Sequence, residues 1–342
     1  MPNQNSSPPL AVPYNLLISI YIIIPICIFV QIIDTLFFDN YLVSFLPNSP
    51  QQYFILSLIF GTPHIIASNI IMFSNKEYRK HYGPSILIVT ILIALFYGIG
   101  SQTISPLIMF AIITTATIYH VLKQSFGIGN MSSRLSGWQY ELWCYSGIVI
   151  GSVVYILIFI GQSLSPEVQS FLSNIIWVTS ALFTILSIKC LLNIKNSQGK
   201  VIFIANALMV LFTVYFYINK YYFFAAICPR FVHDISAFIF YVAHDYNKHN
   251  NKPQNILYKA VSSVKLNGFV IVPGVAILLT YFVTQYGDQL FSLFTQNVIG
   301  MTIPGAISFG FVGYLGLMHY YFEGKTWKSG SPYRANLAIK FN

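Results

Sequence analysis

The chain has 342 residues, of which 56% are hydrophobic and only 8% charged, with a net charge of +9 and a mean hydropathy of +0.66. A soluble domain carries about 25% charged residues, so these values exclude water-soluble folds and define a polytopic membrane protein. The unbroken succession of apolar runs argues for one membrane domain without a soluble module.

Residues 1–13 (MPNQNSSPPLAVP) hold no basic n-region and no small-residue cleavage pattern, and read as a disordered tail ahead of a retained first span. Ten apolar runs, each bounded by polar or Pro/Gly punctuation, then predict transmembrane helices over about 14–37, 51–73, 84–100, 104–125, 139–160, 171–192, 200–218, 221–247, 267–285 and 301–322. The expected fold is therefore an all-α bundle, with a membrane domain over 14–322 and a basic tail over 323–342.

Sixteen of the eighteen Lys and Arg residues fall in loops after even-numbered spans, at nearby span ends or in the C-terminal tail; the others are Lys220 and Arg230. The loops after odd-numbered spans offer mainly Asp39, Glu167 and Asp288. This asymmetry predicts ten spans with both termini cytoplasmic, in an inner (plasma) membrane. It also accounts for the basic net charge, through topology and anionic lipids rather than nucleic acid. Cys27, Cys144, Cys190 and Cys228 lie in or near apolar spans without CxxC spacing and read as buried thiols.

Ionisable groups inside a bilayer are costly and mark candidate sites. His81 and His249 sit in basic loops and read as solvated. His64, His120, His233 and His319 sit on spans two, four, eight and ten, which run in one direction. They lie about thirteen, sixteen, twelve and eighteen residues into those spans, so their depths agree within roughly 10 Å, in the cytoplasmic half. Four imidazoles on parallel helices at one depth is what a metal site in a bundle core requires. Glu323 follows His319 at i+4, and Gln124 follows His120 at i+4. Glu323 is expected as a fifth ligand or a nearby base, and Gln124 as a group orienting the imidazole. Arg230 and Asp234 are spaced as an internal ion pair supporting the site.

His244-Asp245 repeats His233-Asp234 eleven residues on, but about 16 Å along a helix is too far for one coordination sphere. His244 therefore reads as a helix-end histidine accommodated by water and the helix dipole. Imidazoles with a nearby carboxylate suit iron, zinc, copper or nickel. No GxSxG, HExxH or phosphate-binding glycine loop is present. Besides a metalloenzyme, a proton-coupled carrier would use the same buried groups as a pathway, although no inverted repeat or paired broken helices stand out. An assembly protein is the third class.

The segments GTPHIIAS, IYHVLKQSFG, FVHDISAF and LMHYYFEGKTW come in an order that resembles Brp/Blh-type β-carotene 15,15′-dioxygenases and related bacterial membrane proteins. The resemblance implies a helical membrane bundle with non-haem iron held by histidines, and oxidative cleavage of a carotenoid. It matches Pro63-His64, His120 and His233. The chain departs from the family at Ala237, where the third motif has a second His, and at Ser68, where the first motif has an acid. The fourth ligand must then come from His319 or His244. The expectation is a non-haem iron oxygenase acting on a carotenoid- or lipid-like substrate.

Overall fold

The computed structural model describes residues 9–47, 61–249, 256–262 and 268–341. They form a bundle of α-helices with one short two-stranded ladder. The long helices follow the predicted spans in order. They are α1 Tyr14–Phe37, α2 Thr62–Ser74, α3 Lys76–Gly98, α4 Pro106–Ser133, α5 Trp138–Ile160, α6 Pro166–Asn193, α7 Ser197–Ile218, α8 Tyr222–His249, α9 Gly268–Ile299 and α10 Val312–Thr326. Short helices cover Tyr41–Phe45 and Ile256–Ser262.

Among the described residues, eight helices are long and apolar enough to cross a membrane, all but α2 and α10. The first ten residues of predicted span two lie outside the described residues. Span ten is shortened for a local reason. Gly305 adopts φ +69°, a π-helical turn follows over Ala306–Phe311, and the regular helix starts only at Val312. Hydropathy registers the apolar run but not this backbone break. Conversely, α9 runs to Ile299, well beyond the predicted end, and takes in Asp288, which was expected in a loop. The Asp288 carboxylate accepts hydrogen bonds from the backbone N–H of Ile307 (2.8 Å) and Ser308 (3.2 Å). An acid at a helix flank thus satisfies the first amides of the next element.

Helix starts follow local chemistry. Two Ser-Pro pairs open α4 and α6: Ser105 Oγ accepts from Ile108 N–H, and Ser165 Oγ accepts from Val168 N–H. A capping hydroxyl followed by Pro at the first turn supplies one acceptor and removes one orphan donor. Helix α8 carries Pro229 in its interior; close by, Tyr155 of α5 donates to the Ala226 carbonyl at 2.5 Å. Backbone near a membrane proline is commonly satisfied by a neighbouring helix in this way. Gly147 and Gly151 let α5 meet its neighbours closely. A Cβ on Gly147 would stand 2.9 Å from Phe183, and one on Gly151 would stand 2.8 Å from Ile118.

The arrangement that matters for function is a closed ring of four helices. Helix α8 packs on α2 and α4, and α10 packs on the same two. Helices α7 and α9 flank α8 outside that ring. Large apolar side chains such as Leu87, Trp177, Val178 and Leu192 face outward, as a lipid-facing surface requires.

The chain ends differ from the predicted tails. Ala11–Pro13 forms β1 and pairs in parallel with β2, Ala338–Lys340. The disordered tail predicted over 1–13 is therefore ordered at its last three residues. The segment after α10 folds back on the bundle: Ser331, Tyr333 and Leu337 are buried.

Candidate metal centre

His64 of α2, His120 of α4, His233 of α8 and His319 of α10 meet in the ring of four helices. Each is buried, and one donor atom from each lies within 4.8 Å of all the others. The rings form a quadrilateral in the order of the helices. Centroid separations are 5.1 Å for His64–His233, 4.8 Å for His233–His120, 4.7 Å for His120–His319 and 4.7 Å for His319–His64. All four contacts are edge-to-face, so the rings do not stack into a closed apolar plug.

The surrounding bonds assign one of the ring protons. Ser68 Oγ donates to the Ile65 carbonyl at 2.9 Å, which leaves it to accept from His319 Nδ1–H at 2.7 Å. The lone pair of His319 is then on Nε2. His64 Nδ1 lies 3.3 Å from Asp234 Oδ1, close enough for an ion pair but without the geometry of a hydrogen bond. His64 Nε2 and His319 Nε2 are 3.1 Å apart. The lone pair on His319 Nε2 thus faces His64 Nε2 at a distance that suits either a hydrogen bond from a His64 N–H or a cation beside both nitrogens. With metal–nitrogen bonds of about 2.1 Å, neighbouring ligand nitrogens stand roughly 3.0–3.4 Å apart and opposite ones about 4.2 Å. The 3.1 Å pair already has that spacing, and the widest pair needs only a small contraction.

Polar satisfaction agrees. Both ring nitrogens of His233 and Nε2 of His120 are buried without a hydrogen-bond partner. Unpaired buried polar atoms are costly, and these lie in the four-histidine cluster, with Asp234 Oδ1 and Glu323 Oε2 likewise unpaired beside it. A transition metal fits this donor set, and the four buried histidines can hold one.

The carboxylates stand just outside. Glu323 Oε2 lies 3.2 Å from His120 Nε2, and Tyr241 of α8 donates to Glu323 Oε1. Asp234 also approaches Arg230 (3.8 Å), so the predicted ion pair is present, with Arg230 36% exposed and Asp234 buried. Its closer contact is His64. The i to i+4 pattern within α8 identifies the Arg230 partner, but a pairing between α8 and α2 leaves no trace in sequence spacing.

Two predicted roles are corrected. Gln124 does not orient His120: both of its amide atoms are buried and unpaired, and it lines a neighbouring cavity. The fit to His120 is made instead by the Tyr320 ring, stacked at 4.7 Å and 28°. His244 is no water-exposed helix end. It is fully buried, with Nδ1 2.7 Å from Asp245 and Nε2 2.5 Å from the Tyr78 hydroxyl, and it stacks on Tyr333 at 4.2 Å. Both its nitrogens are engaged there, so it does not join the four-histidine cluster. Burial, with Glu323 and Asp245 nearby, also holds the Tyr333 hydroxyl protonated, well above a free phenol's range. His249, expected in solvent, is buried and stacks on Tyr258 at 4.3 Å. His81 is exposed as predicted.

Sequence spacing had no means of finding Tyr241 or the Ser68–His319 bond, because both join separate helices. The fold and site define a multi-pass, membrane-like helical protein with a buried four-histidine cluster. No family model, curated protein or solved structure matches the chain.

Proposed function

We propose that this protein is a membrane metalloenzyme, with non-haem iron held by His64, His120, His233 and His319, acting as an oxygenase on a hydrophobic carotenoid- or lipid-like substrate. The observation that carries the reading is the convergence of four buried imidazole donors within 4.8 Å, two of them facing at 3.1 Å. Iron is favoured over zinc by the resemblance of the histidine segments to the Brp/Blh-type dioxygenases. Iron with open positions would supply O₂ chemistry. Ser68 orients His319, and Asp234 stands beside His64 as a neighbouring charge. Glu323, fixed by Tyr241, holds or takes a proton at Oε2 beside His120. Arg230 balances Asp234. In this reading the protein lies in the plasma membrane, with its basic loops and both termini on the cytoplasmic side.

The test is elemental analysis of the detergent-purified protein. About one iron per chain is expected, with loss of most of it in His64→Ala and His233→Ala. A carrier using the same groups as a proton pathway would purify without stoichiometric metal, and that result would sink the proposal.

A further inference from the structure

Beside the histidines lies a cavity of about 1070 Å³, bounded by α4, α10 and the C-terminal tail. Pockets for small organic ligands run to about 1,000 Å³. His120 and Glu323 form part of its wall, so the cavity adjoins the candidate metal centre. Much of the rest is aromatic or aliphatic, including Tyr119, Tyr320, Trp327 and Met131.

Three cations interrupt these apolar walls: Lys123, Lys328 and Arg334. Glu323 is the one acid among the described lining residues; its Oε1 accepts from Tyr241 and its Oε2 stands 3.2 Å from His120 Nε2. Lys123 has a 3.5 Å contact with Glu141, an exposed residue outside the cavity. Arg334 gives one N–H to the Leu337 carbonyl at 3.1 Å. Lys328 makes no side-chain hydrogen bond or ion pair among the described residues. The Gln124 amide, also in the lining, is buried and unpaired on both its nitrogen and its oxygen. A neutral hydrocarbon filling this cavity would leave the buried Gln124 amide unmet, at a cost, and would offer no counter-charge to the exposed Lys328 and half-buried Arg334. A ligand with an anionic head and an apolar chain satisfies both kinds of wall.

We propose that the cavity binds a single-chain amphiphile with an anionic head, such as a long-chain fatty acid. Its head meets Lys328, Arg334 and Gln124, and its chain passes the aromatic wall beside His120. This assignment rests on the metalloenzyme reading for its catalytic meaning, but the binding itself does not require metal.

The probe is cis-parinaric acid, a fluorescent long-chain fatty acid, added to the purified full-length protein and read by energy transfer from tryptophan. The acid is expected to bind at least about tenfold more tightly than its methyl ester. Trp327→Phe should lower the transfer. The double variant Lys328→Gln/Arg334→Gln should erase most of the preference for the acid, and Arg334→Lys should restore part of it. Displacement by palmitate or by lysophosphatidylglycerol supports the proposal, and the stronger of the two identifies a carboxylate or a phosphodiester head. Equal affinity for acid and ester, or displacement by β-carotene and by neither anion, overturns it. Metal content is measured on the same samples. Acid-selective binding in metal-free His64→Ala would uphold the cavity apart from the metal. Bound iron without acid preference would uphold the metal and refute the cavity assignment.

Discussion

At the scale of single residues, the candidate centre depends on two groups that never touch its middle. Ser68 fixes the His319 ring by accepting from Nδ1, and Asp234 stands 3.3 Å from His64 Nδ1 as a neighbouring charge. Groups of this kind set ligand tautomer and basicity, and their loss typically costs about 10–100-fold in metal affinity. Ser68→Ala and Asp234→Asn are each expected to weaken metal retention by that order, measured by competition with a chelator of graded affinity. Asp234→Asn also leaves Arg230 without its carboxylate, so it should lower stability as well. Ser68→Ala removes a smaller group and should act almost wholly on the metal. Unchanged retention in both variants would mean that the imidazoles are oriented by packing alone.

At the scale of elements, α5 approaches its neighbours closely at two positions. Gly147 and Gly151 are one turn apart, and an added Cβ at either falls under 3.0 Å from a neighbouring side chain. Small residues spaced this way let membrane helices approach. Leu at either position should destabilise by about 1–3 kcal/mol through overpacking, visible as a lower thermal midpoint in detergent. Gly83→Ala in α3 is the control, because nothing lies within 4 Å of the added carbon, and no loss of stability is expected there. The elements were largely legible from sequence. Apolar run length placed the helices in order, because a bilayer imposes that signal on the chain. What was not legible depended on backbone geometry or on partners far away in sequence. The Gly305 conformation shortens α10, and the bonds of Asp288 let α9 continue through polar residues. The same division holds for the site. His64, His120, His233 and His319 could be chosen by shared depth along parallel helices. The buried pairing of His244 with Tyr78 could not, because it joins α8 to α3.

At the scale of the whole molecule, the C-terminal segment serves both as a tie and as a wall. It pairs β2 with β1, so that the two ends of the described chain meet. Asn247 of α8 accepts from the Leu10 N–H at 2.6 Å and donates to the Asn336 carbonyl at 3.0 Å, which locks both ends to the bundle. The same segment contributes Arg334 and Leu337 to the cavity and stacks Tyr333 on His244. The four histidines, by contrast, come from α2, α4, α8 and α10, with none from the tail. Deleting residues 331–342 is therefore expected to separate the two properties. Metal content should stay near that of the intact chain, while affinity for an anionic amphiphile falls about tenfold or more through the loss of Arg334 and of an apolar wall. The thermal midpoint should fall as well, since Tyr333 and Leu337 leave the core. Metal analysis and fatty-acid titration on one preparation check both halves. Loss of metal together with binding would show that the tail organises the ring of four helices; loss of binding alone would show that it serves only as a wall of the adjoining cavity.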